Sequence, residues 1–285
     1  MSPKKRVLCI VLTLAIPWIG LSSRAQLAYP DYTLSISDDL PQKKVTKENL
    51  EFSKLVWSDE FNKPGLPDST KWSYAIGTGC PQNCGWGNKE LEYYTNRPEN
   101  GIVEGGVLKL KAIREHYHDA DYTSVKLQTK NKFVFTYGKV EVRAKLPAGV
   151  GTWPAIWMLG EEPGHPSWPA CGEIDIMEHR GSELNKIVGT LHYPGRSAGN
   201  ADGGYTMIKN AASKFHTYTL EWTPSYLKIS VDKLLYHTVK NSENSPFNHD
   251  FYLILNLAMG GFFGGPVDPA FTDATMEVDY IRVYQ

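Results

Sequence analysis

The stretch Gly172-Glu-Ile-Asp-Ile-Met-Glu-His179 places three carboxylates close together along the chain. Glu173 and Asp175 alternate with isoleucines, and this period of two is typical of a β-strand whose acids share one face. A regular strand would turn Glu178 to the opposite face. One extra residue, a β-bulge at positions 176–177, returns Glu178 to the acidic face. We therefore predict a bulged strand with three acids on one side.

Three acids on one strand face repel one another unless a substrate, a metal or a partner balances their charges. Two carboxylates about 5–5.5 Å apart are the catalytic pair of a retaining glycosidase. An ordinary solvated face or a hard-metal site would also use such acids. The apolar back of the strand, with Trp153, Trp157 and Trp168 just before it, favours acid–base or nucleophilic chemistry.

Short runs with a period of two recur along the rest of the chain, separated by glycine and proline. This pattern predicts an all-β sandwich of two antiparallel sheets. Only residues 205–214 are open to a short helix as an alternative to a loop. The clearest runs are Val107–Ala112, Lys139–Leu146, Tyr218–Trp222, Leu227–Asp232 and Met276–Tyr284.

Several longer motifs lie on both sides of the acidic run, in a fixed order. Together they resemble glycoside hydrolase family 16 in its bulged form, and within it the laminarinase-like endo-β-1,3-glucanases. The resemblance covers roughly residues 52–285. The motifs are Leu55–Phe61, Cys84-Gly-Trp-Gly-Asn-Lys-Glu-Leu-Glu-Tyr-Tyr-Thr95, Tyr137–Pro147, Gly151-Thr-Trp-Pro-Ala-Ile-Trp-Met-Leu159, Gly189-Thr-Leu-His-Tyr-Pro-Gly195 and Met276–Tyr284.

The resemblance implies a jelly roll with a concave substrate cleft and a secreted, endo-acting, retaining β-glucanase that needs no cofactor for catalysis. It implies that Glu173 is the nucleophile, that Glu178 is the acid/base, and that Asp175 separates their pKa values. The expected substrate is a laminarin-type β-1,3-glucan. The alternatives are a mixed β-1,3-1,4-glucan, a red-algal galactan, or a non-catalytic glucan-binding lectin, although such lectins lack the two glutamates.

The same resemblance implies a set of substrate-binding residues, and for the tryptophans core packing is the competing interpretation. Trp153 and Trp157 stand four apart on a strand and so share a face. Lys126 stands where the family often has arginine, and lysine cannot make the same bidentate contact. The set is Trp153, Trp157, His192, Asn88, Glu90, Trp222 and Lys126.

A structural calcium ion away from the cleft is also implied by the resemblance. Its matching ligands are the carbonyls of Glu60 and Gly106 and the carboxylate of Asp279. Calcium accepts such oxygen ligands, including backbone carbonyls. Asp279 is equally compatible with a plain acid on a strand surface.

Three cysteines lie beyond the N-terminal segment. Cys80 and Cys84 are open to two interpretations, a short-loop disulfide in an oxidising compartment or two free thiols. Cys171 has no recognisable His-Asn or His-Asp partner nearby for nucleophilic chemistry. Cys80-x3-Cys84 lacks a second pair of ligands, so the cysteines do not predict a zinc site. We expect it to be a packing residue.

The N-terminus predicts export. Lys4-Lys-Arg6 precedes an apolar stretch at residues 7–21, and Ser23-Arg-Ala25 provides small residues for cleavage before Gln26. We therefore expect a signal peptide at 1–25, a polar extension at 26–51 and the catalytic domain at 52–285. The mature protein is expected to be a secreted monomer that does not bind the membrane. A net charge of −1 gives no electrostatic case for nucleic acid.

Overall fold

A computed structural model describes residues 52–161 and 167–285, and these form two β-sheets. The predicted signal peptide and extension lie outside the described residues. The strands are β1 (Leu55–Asp59), β2 (Ser73–Tyr74), β3 (Glu92–Tyr94), β4 (Gly101–Glu104), β5 (Val107–Tyr117), β6 (Ala120–Ser124), β7 (Lys126–Gln128), β8 (Gly138–Lys145), β9 (Thr152–Gly160), β10 (Glu173–His179), β11 (Lys186–His192), β12 (Asp202–Met207), β13 (His216–Trp222), β14 (Tyr226–Val231), β15 (Leu234–Lys240), β16 (Phe251–Met259) and β17 (Asp273–Tyr284). A four-residue helix, α1 (Gly261–Gly264), and short 3₁₀ turns at Cys84–Gly87 and Ala198–Asn200 complete the elements.

The larger sheet, sheet A, has the order β15-β14-β13-β8-β17-β5-β6-β3, with β1 beside β17 and β4 beside β5. The smaller one, sheet B, has the order β12-β11-β10-β9-β16-β7-β2. The pairs are antiparallel except that β3 runs parallel to β6. The predicted two-sheet sandwich is therefore confirmed, with this one parallel pair as an addition.

The hydrophobic core lies between the two sheets and is built by alternate residues of each strand. On β10 the side chains that belong to the core are Ile174, Ile176 and Met177, and the two isoleucines are those that the alternation predicts. On β16 the odd-numbered residues 251–259 belong to the core. Its even-numbered residues therefore point to the outer face of sheet B, which carries the acids of β10. We call this outer face the acidic face.

Gly172 sets the start of β10. Its φ is +76°, and a Cβ at this position would lie 2.9 Å from the ring of Phe251. Glycine tolerates this backbone conformation because it has no Cβ. The chain can therefore turn sharply against the core immediately before Glu173.

The segment 205–214, for which the sequence left a short helix open, begins as strand and continues as turns. β12 extends to Met207, and the residues that follow are loop. The short helix lies elsewhere, at Gly261–Gly264. No helix within the two described ranges has both the length and the apolar character that crossing a membrane requires.

Candidate active site

The predicted bulge on β10 is confirmed by the pairing on both of its sides. Asp175 lies opposite Thr190 of β11 and Trp157 of β9, whereas Glu178 lies opposite Val188 and Ala155. Two residues of β10, at 176–177, therefore face a single residue on each neighbouring strand. The extra residue returns Glu178 to the acidic face.

Glu178 is held by a hydrogen bond at each carboxylate oxygen. The indole Nε1 of Trp153 donates to Oε1 at 3.0 Å, and Oγ1 of Thr190 donates to Oε2 at 3.2 Å. Trp153 comes from β9 and Thr190 from β11, so the two flanking strands fix the carboxyl group from opposite sides. The carboxyl group is thus oriented before any substrate binds.

His192 joins the other two acids at the start of β10. Its Nε2 lies 3.2 Å from Oδ2 of Asp175 and 3.9 Å from Oε1 of Glu173. The backbone N–H of Ala198 donates to its Nδ1 at 3.1 Å. In the neutral ring the proton must therefore sit on Nε2, facing the acids. The 3.2 Å contact lacks hydrogen-bond geometry, and we treat it as an electrostatic contact.

Burial raises the pKa of all three carboxyl groups. The pKa of Glu173 lies well above its usual value, first because of desolvation and then because of Asp175. The pKa of Asp175 is also well raised, by desolvation and then by Glu178. Desolvation raises the pKa of Glu178, whereas His192, Trp153 and Thr190 lower it. Neighbouring carboxylates oppose one another's ionisation, so the raised pKa values favour a site that keeps a proton.

A chain of hydrogen bonds connects the aromatic residues of the acidic face to a neighbouring loop. Nε1 of Trp157 donates to Oδ1 of Asn256 at 2.7 Å, and Nδ2 of Asn256 donates to the hydroxyl of Tyr94 at 2.9 Å. That hydroxyl donates to Oε2 of Glu90 at 2.9 Å, and Nδ2 of Asn88 donates to Oε1 of Glu90 at 3.1 Å. The predicted residues Trp157, Asn88 and Glu90 thus lie in one network.

Lys126 lies inside an aromatic cage on the same face. Its Nζ is 4.3 Å from the ring centroid of Trp86, 4.9 Å from that of Trp157 and 5.9 Å from that of Tyr94. Burial lowers the pKa of Lys126, while the charges of Glu90, Glu92 and Glu173 oppose that effect. Such contacts with aromatic faces favour the charged ammonium group.

The loop that carries Asn88 and Glu90 is cross-linked, because Cys80 and Cys84 form a disulfide. This resolves the two interpretations left by the sequence. The loop also meets the helix α1, where the N–H of Phe262 donates to the carbonyl of Asn88 at 2.8 Å. Cys171 is free and buried, as expected of a packing residue.

Trp222 requires a correction, because the structure places it in the core and not on the acidic face. It lies on β13 of sheet A with 0% of its surface exposed. Its Nε1 donates to the carbonyl of Phe247 at 3.0 Å, and its ring makes edge contacts with Phe135 and Phe251. Tyr218 and Leu220 share its strand face and are also buried, so the alternation around Trp222 already indicated a core position.

The residues expected to bind calcium do not present a free carboxylate. Asp279 is the one expected ligand that would offer a carboxylate, and Arg143 donates to that carboxylate and forms an ion pair with it. A guanidinium group beside Asp279 would repel a cation. The arrangement does not fit calcium unless the Arg143 pair opens, and no catalytic step depends on it.

Several polar and aromatic residues of the site were not singled out from the sequence. Thr190 donates a hydrogen bond to Glu178. Trp86 and Tyr94 form part of the cage around Lys126, and Asn256 and Tyr94 form part of the hydrogen-bond chain. Thr190 was accessible to the alternation rule, since it stands two residues before His192 on one strand. Asn256 carries no local signal, because its partner Tyr94 is 162 residues away in sequence.

Comparison with known proteins gives a consistent result. Residues 82–282 match the family model described as "Glycosyl hydrolases family 16". A curated relative, the "Beta-glucanase" of Rhodothermus marinus, is 45% identical over 248 residues, which is 81% of this chain and 85% of the relative.

Solved structures agree in both fold and sequence. The laminarinase from Rhodothermus marinus has a TM-score of 0.76 and 45% identity, covering 81% of this chain and 97% of that one. A variant of LamA from Z. galactanivorans, crystallised with laminaritriose and laminaritetraose, has a TM-score of 0.76 and 45% identity, covering 82% of this chain and 100% of that one. The jelly-roll fold expected from the motifs is therefore confirmed.

Proposed function

Because this chain belongs to glycosyl hydrolase family 16, we propose that it is an endo-acting, retaining β-glucanase for β-1,3-glucosidic bonds of laminarin-type glucans. One observation supports this function above the others. Glu178, held at both oxygens, lies on the same face of the bulged strand as Glu173, beside the tryptophans of β9.

In the first half of the reaction, the Glu173 carboxylate attacks the anomeric carbon while Glu178 gives its proton to the departing glycosidic oxygen. The C–O bond to the leaving sugar breaks and a glycosyl ester of Glu173 forms. Asp175 lies on the same face as Glu173, and its charge raises the pKa of Glu173. When a proton resides on Asp175, its charge no longer opposes the ionisation of Glu173, and the Glu173 carboxylate is able to attack.

In the second half, Glu178 is a carboxylate and removes a proton from water. The resulting hydroxide equivalent attacks the anomeric carbon, the ester bond breaks, and Glu173 returns as a carboxylate. Glu178 is again protonated, so the cycle closes with one water consumed. Two inversions give net retention, and the scheme needs no cofactor.

Glu173→Gln and Glu178→Gln test this assignment. Each amide keeps the side-chain shape but cannot act as nucleophile or proton donor, so each variant should lose at least about a thousandfold in kcat on laminarin. Glu221→Gln on sheet A is the matched control and should retain wild-type turnover. A near-wild-type rate in either site variant would show that Glu173 and Glu178 do not act together as the catalytic pair.

Product analysis tests linkage and stereochemistry. NMR of early digests should show the β-anomer first, and chromatography should show mixed oligosaccharides and not glucose alone. An initial α-anomer would indicate inversion and a wider carboxylate separation. Higher kcat/KM on mixed β-1,3-1,4-glucan than on laminarin would favour the alternative substrate. Cleavage confined to agarose or carrageenan would contradict both.

We also propose that the protein is exported and acts outside the cytoplasm. The basic and apolar N-terminal residues support this, and the Cys80–Cys84 disulfide suits an oxidising compartment. Mass spectrometry of the exported protein should find Gln26 at or near its start. A product that retains residues 7–21 and fractionates with membranes would contradict export.

A structural calcium ion at Glu60, Gly106 and Asp279 stays a prediction from the family resemblance. Thermal unfolding in calcium and in EDTA tests it. Because Arg143 already pairs with Asp279, we expect calcium to raise the midpoint temperature of unfolding only slightly. A large calcium-dependent increase would mean that this pair opens to admit the ion.

A further inference from the structure

The strand register places side chains in a row across the acidic face. Glu178 lies opposite Ala155 on one side and Val188 on the other. Continuing through the neighbouring strands, Ala155 lies opposite Asn256, which lies opposite Lys126, and Val188 lies opposite Tyr205. Directly opposed residues share a face. One row therefore runs from the Lys126 cage, through the acid/base, to Tyr205 on β12.

Tyr205 stands at the outer end of this row, and its ring is mostly uncovered. β12 is the last strand of sheet B, and 64% of Tyr205 is exposed. Met207, the next residue on the same face, is 62% exposed. The alternate residue Gly204 instead approaches His237 of sheet A, which confirms that odd-numbered residues of β12 point to the acidic face.

The surroundings of Tyr205 suit a neutral sugar. Nζ of Lys186 lies 5.0 Å from its ring centroid and 3.4 Å from a carboxylate oxygen of Glu183. This pair offers a donor and an acceptor while nearly cancelling its own charge. An exposed aromatic ring covers the C–H face of a pyranose, and the pair can bind its hydroxyl groups.

Gly203 has no side chain, so the acidic face is low at this position, between Thr190 and the edge of the sheet. It lies opposite Thr190, and a Cβ placed there would come no closer than 3.5 Å to any atom of the protein. Gly203 itself contributes no side chain there, and the nearest side chain is that of Thr190, at 3.5 Å. A saccharide chain leaving Glu178 can cross this position and reach Tyr205.

We propose that Tyr205, with Met207 and Lys186 beside it, forms an outer subsite for a glucosyl residue of the substrate. β12 is two strand spacings, about 10 Å, from β10, so the subsite lies beyond the sugars at the scissile bond. It is the counterpart of the Lys126 cage at the other end of the row. This inference rests on the proposed glucanase function and adds how far the substrate site extends.

The test uses Tyr205→Ala on a ladder of β-1,3-gluco-oligosaccharides from the trisaccharide to the heptasaccharide. KM should rise about three- to tenfold for chains long enough to reach β12, with little change for the shortest substrates. Tyr205→Phe should behave like wild type, because the ring is retained. Leu55→Ala, an exposed apolar residue on sheet A, is the matched control.

A second variant tests the path independently of the ring. Gly203→Val introduces a side chain whose Cβ lies at ordinary contact distances, 3.5 Å or more from its neighbours, so folding should be retained. The valine side chain should obstruct the surface between Glu178 and Tyr205 and raise KM for the same long substrates. Bond-cleavage frequencies on an end-labelled hexasaccharide should shift in both variants, away from the bonds whose cleavage places a sugar on Tyr205.

The outcomes separate this inference from the function it rests on. If wild type does not cleave any β-1,3-glucan, the proposed function fails. If wild type cleaves the ladder and Tyr205→Ala matches it at every length, only the subsite is wrong. An equal loss at every length would indicate a structural role. A wild-type dimer that Tyr205→Ala dissociates would mean that a second copy covers the residue.

Discussion

The hydroxyl of Thr190 bears directly on the acidity of Glu178. A donor to a carboxylate stabilises the ionised form and lowers the pKa, and Thr190 acts in that direction against the effect of burial. Thr190→Val should therefore raise the pKa of Glu178. A hydrogen bond contributes about 0.5–1.5 kcal/mol, which corresponds to a shift of about half to one pH unit.

The measurement is the pH profile of kcat/KM. Activity requires protonated Glu178, so its alkaline limb should move to higher pH in Thr190→Val. Thr219→Val, on a strand of sheet A, is the control. An unchanged limb, or one that moves to lower pH, would mean that the Thr190 bond does not stabilise the ionised acid.

Lys126 is the second residue whose effect can be predicted from its contacts. Lys126→Met keeps most of the volume but removes the charge that Trp86 and Trp157 face. Because Lys126 lies three strands from β10, KM should rise about tenfold with kcat nearly unchanged. Lys130→Met is the control. A fall in kcat at constant KM would instead connect Lys126 to the chemical step.

At the scale of the element, the bulge in β10 predicts opposite results for deletion and insertion. Deleting Met177 leaves Glu-Ile-Asp-Ile-Glu, a regular alternation that keeps all three acids on the acidic face. The variant should retain measurable activity, although losing a buried methionine should cost about 2–5 kcal/mol of stability.

Inserting alanine after Asp175 makes the two glutamates six positions apart. Alternation then keeps Glu178 on the acidic face but moves it about 7 Å farther along the strand, away from Trp153 and Thr190. Activity should then be lost completely. Laminarin turnover, with circular dichroism to confirm folding, measures both variants. Equal activity in the two, or loss in the deletion alone, would show that the position of Glu178 along the strand does not set activity.

At the scale of the whole molecule, Trp222 joins the two sheets and should matter for stability and not for sugar binding. Its ring contacts Phe251 of sheet B from a strand of sheet A. Trp222→Ala should cost about 3–5 kcal/mol in the free energy of unfolding, measured with denaturant. Trp222→Phe should keep KM near wild type. If a Trp222 variant instead raises KM without a loss of stability, Trp222 contributes to substrate binding.

The sequence by itself determined the catalytic strand and the class of fold. Alternation along residues 173–178, with one residue too many, is a local property of backbone geometry, so both the shared acidic face and the bulge were predictable. The same rule gave the strands of the sandwich and, through Tyr218 and Leu220, should also have placed Trp222 in the core. The family motifs added the jelly roll.

Only the tertiary structure decided which strands lie beside one another and therefore which side chains meet. Lys126 was expected to bind substrate, but its cage joins residues of a cross-linked loop, β3 and β9. The Asn256–Tyr94 bond and the position of Tyr205 in line with Glu178 depend likewise on strand order. Periodicity fixes the face of a residue within its strand. The neighbours across the sheet are set by non-local pairing, for which a local pattern carries no information.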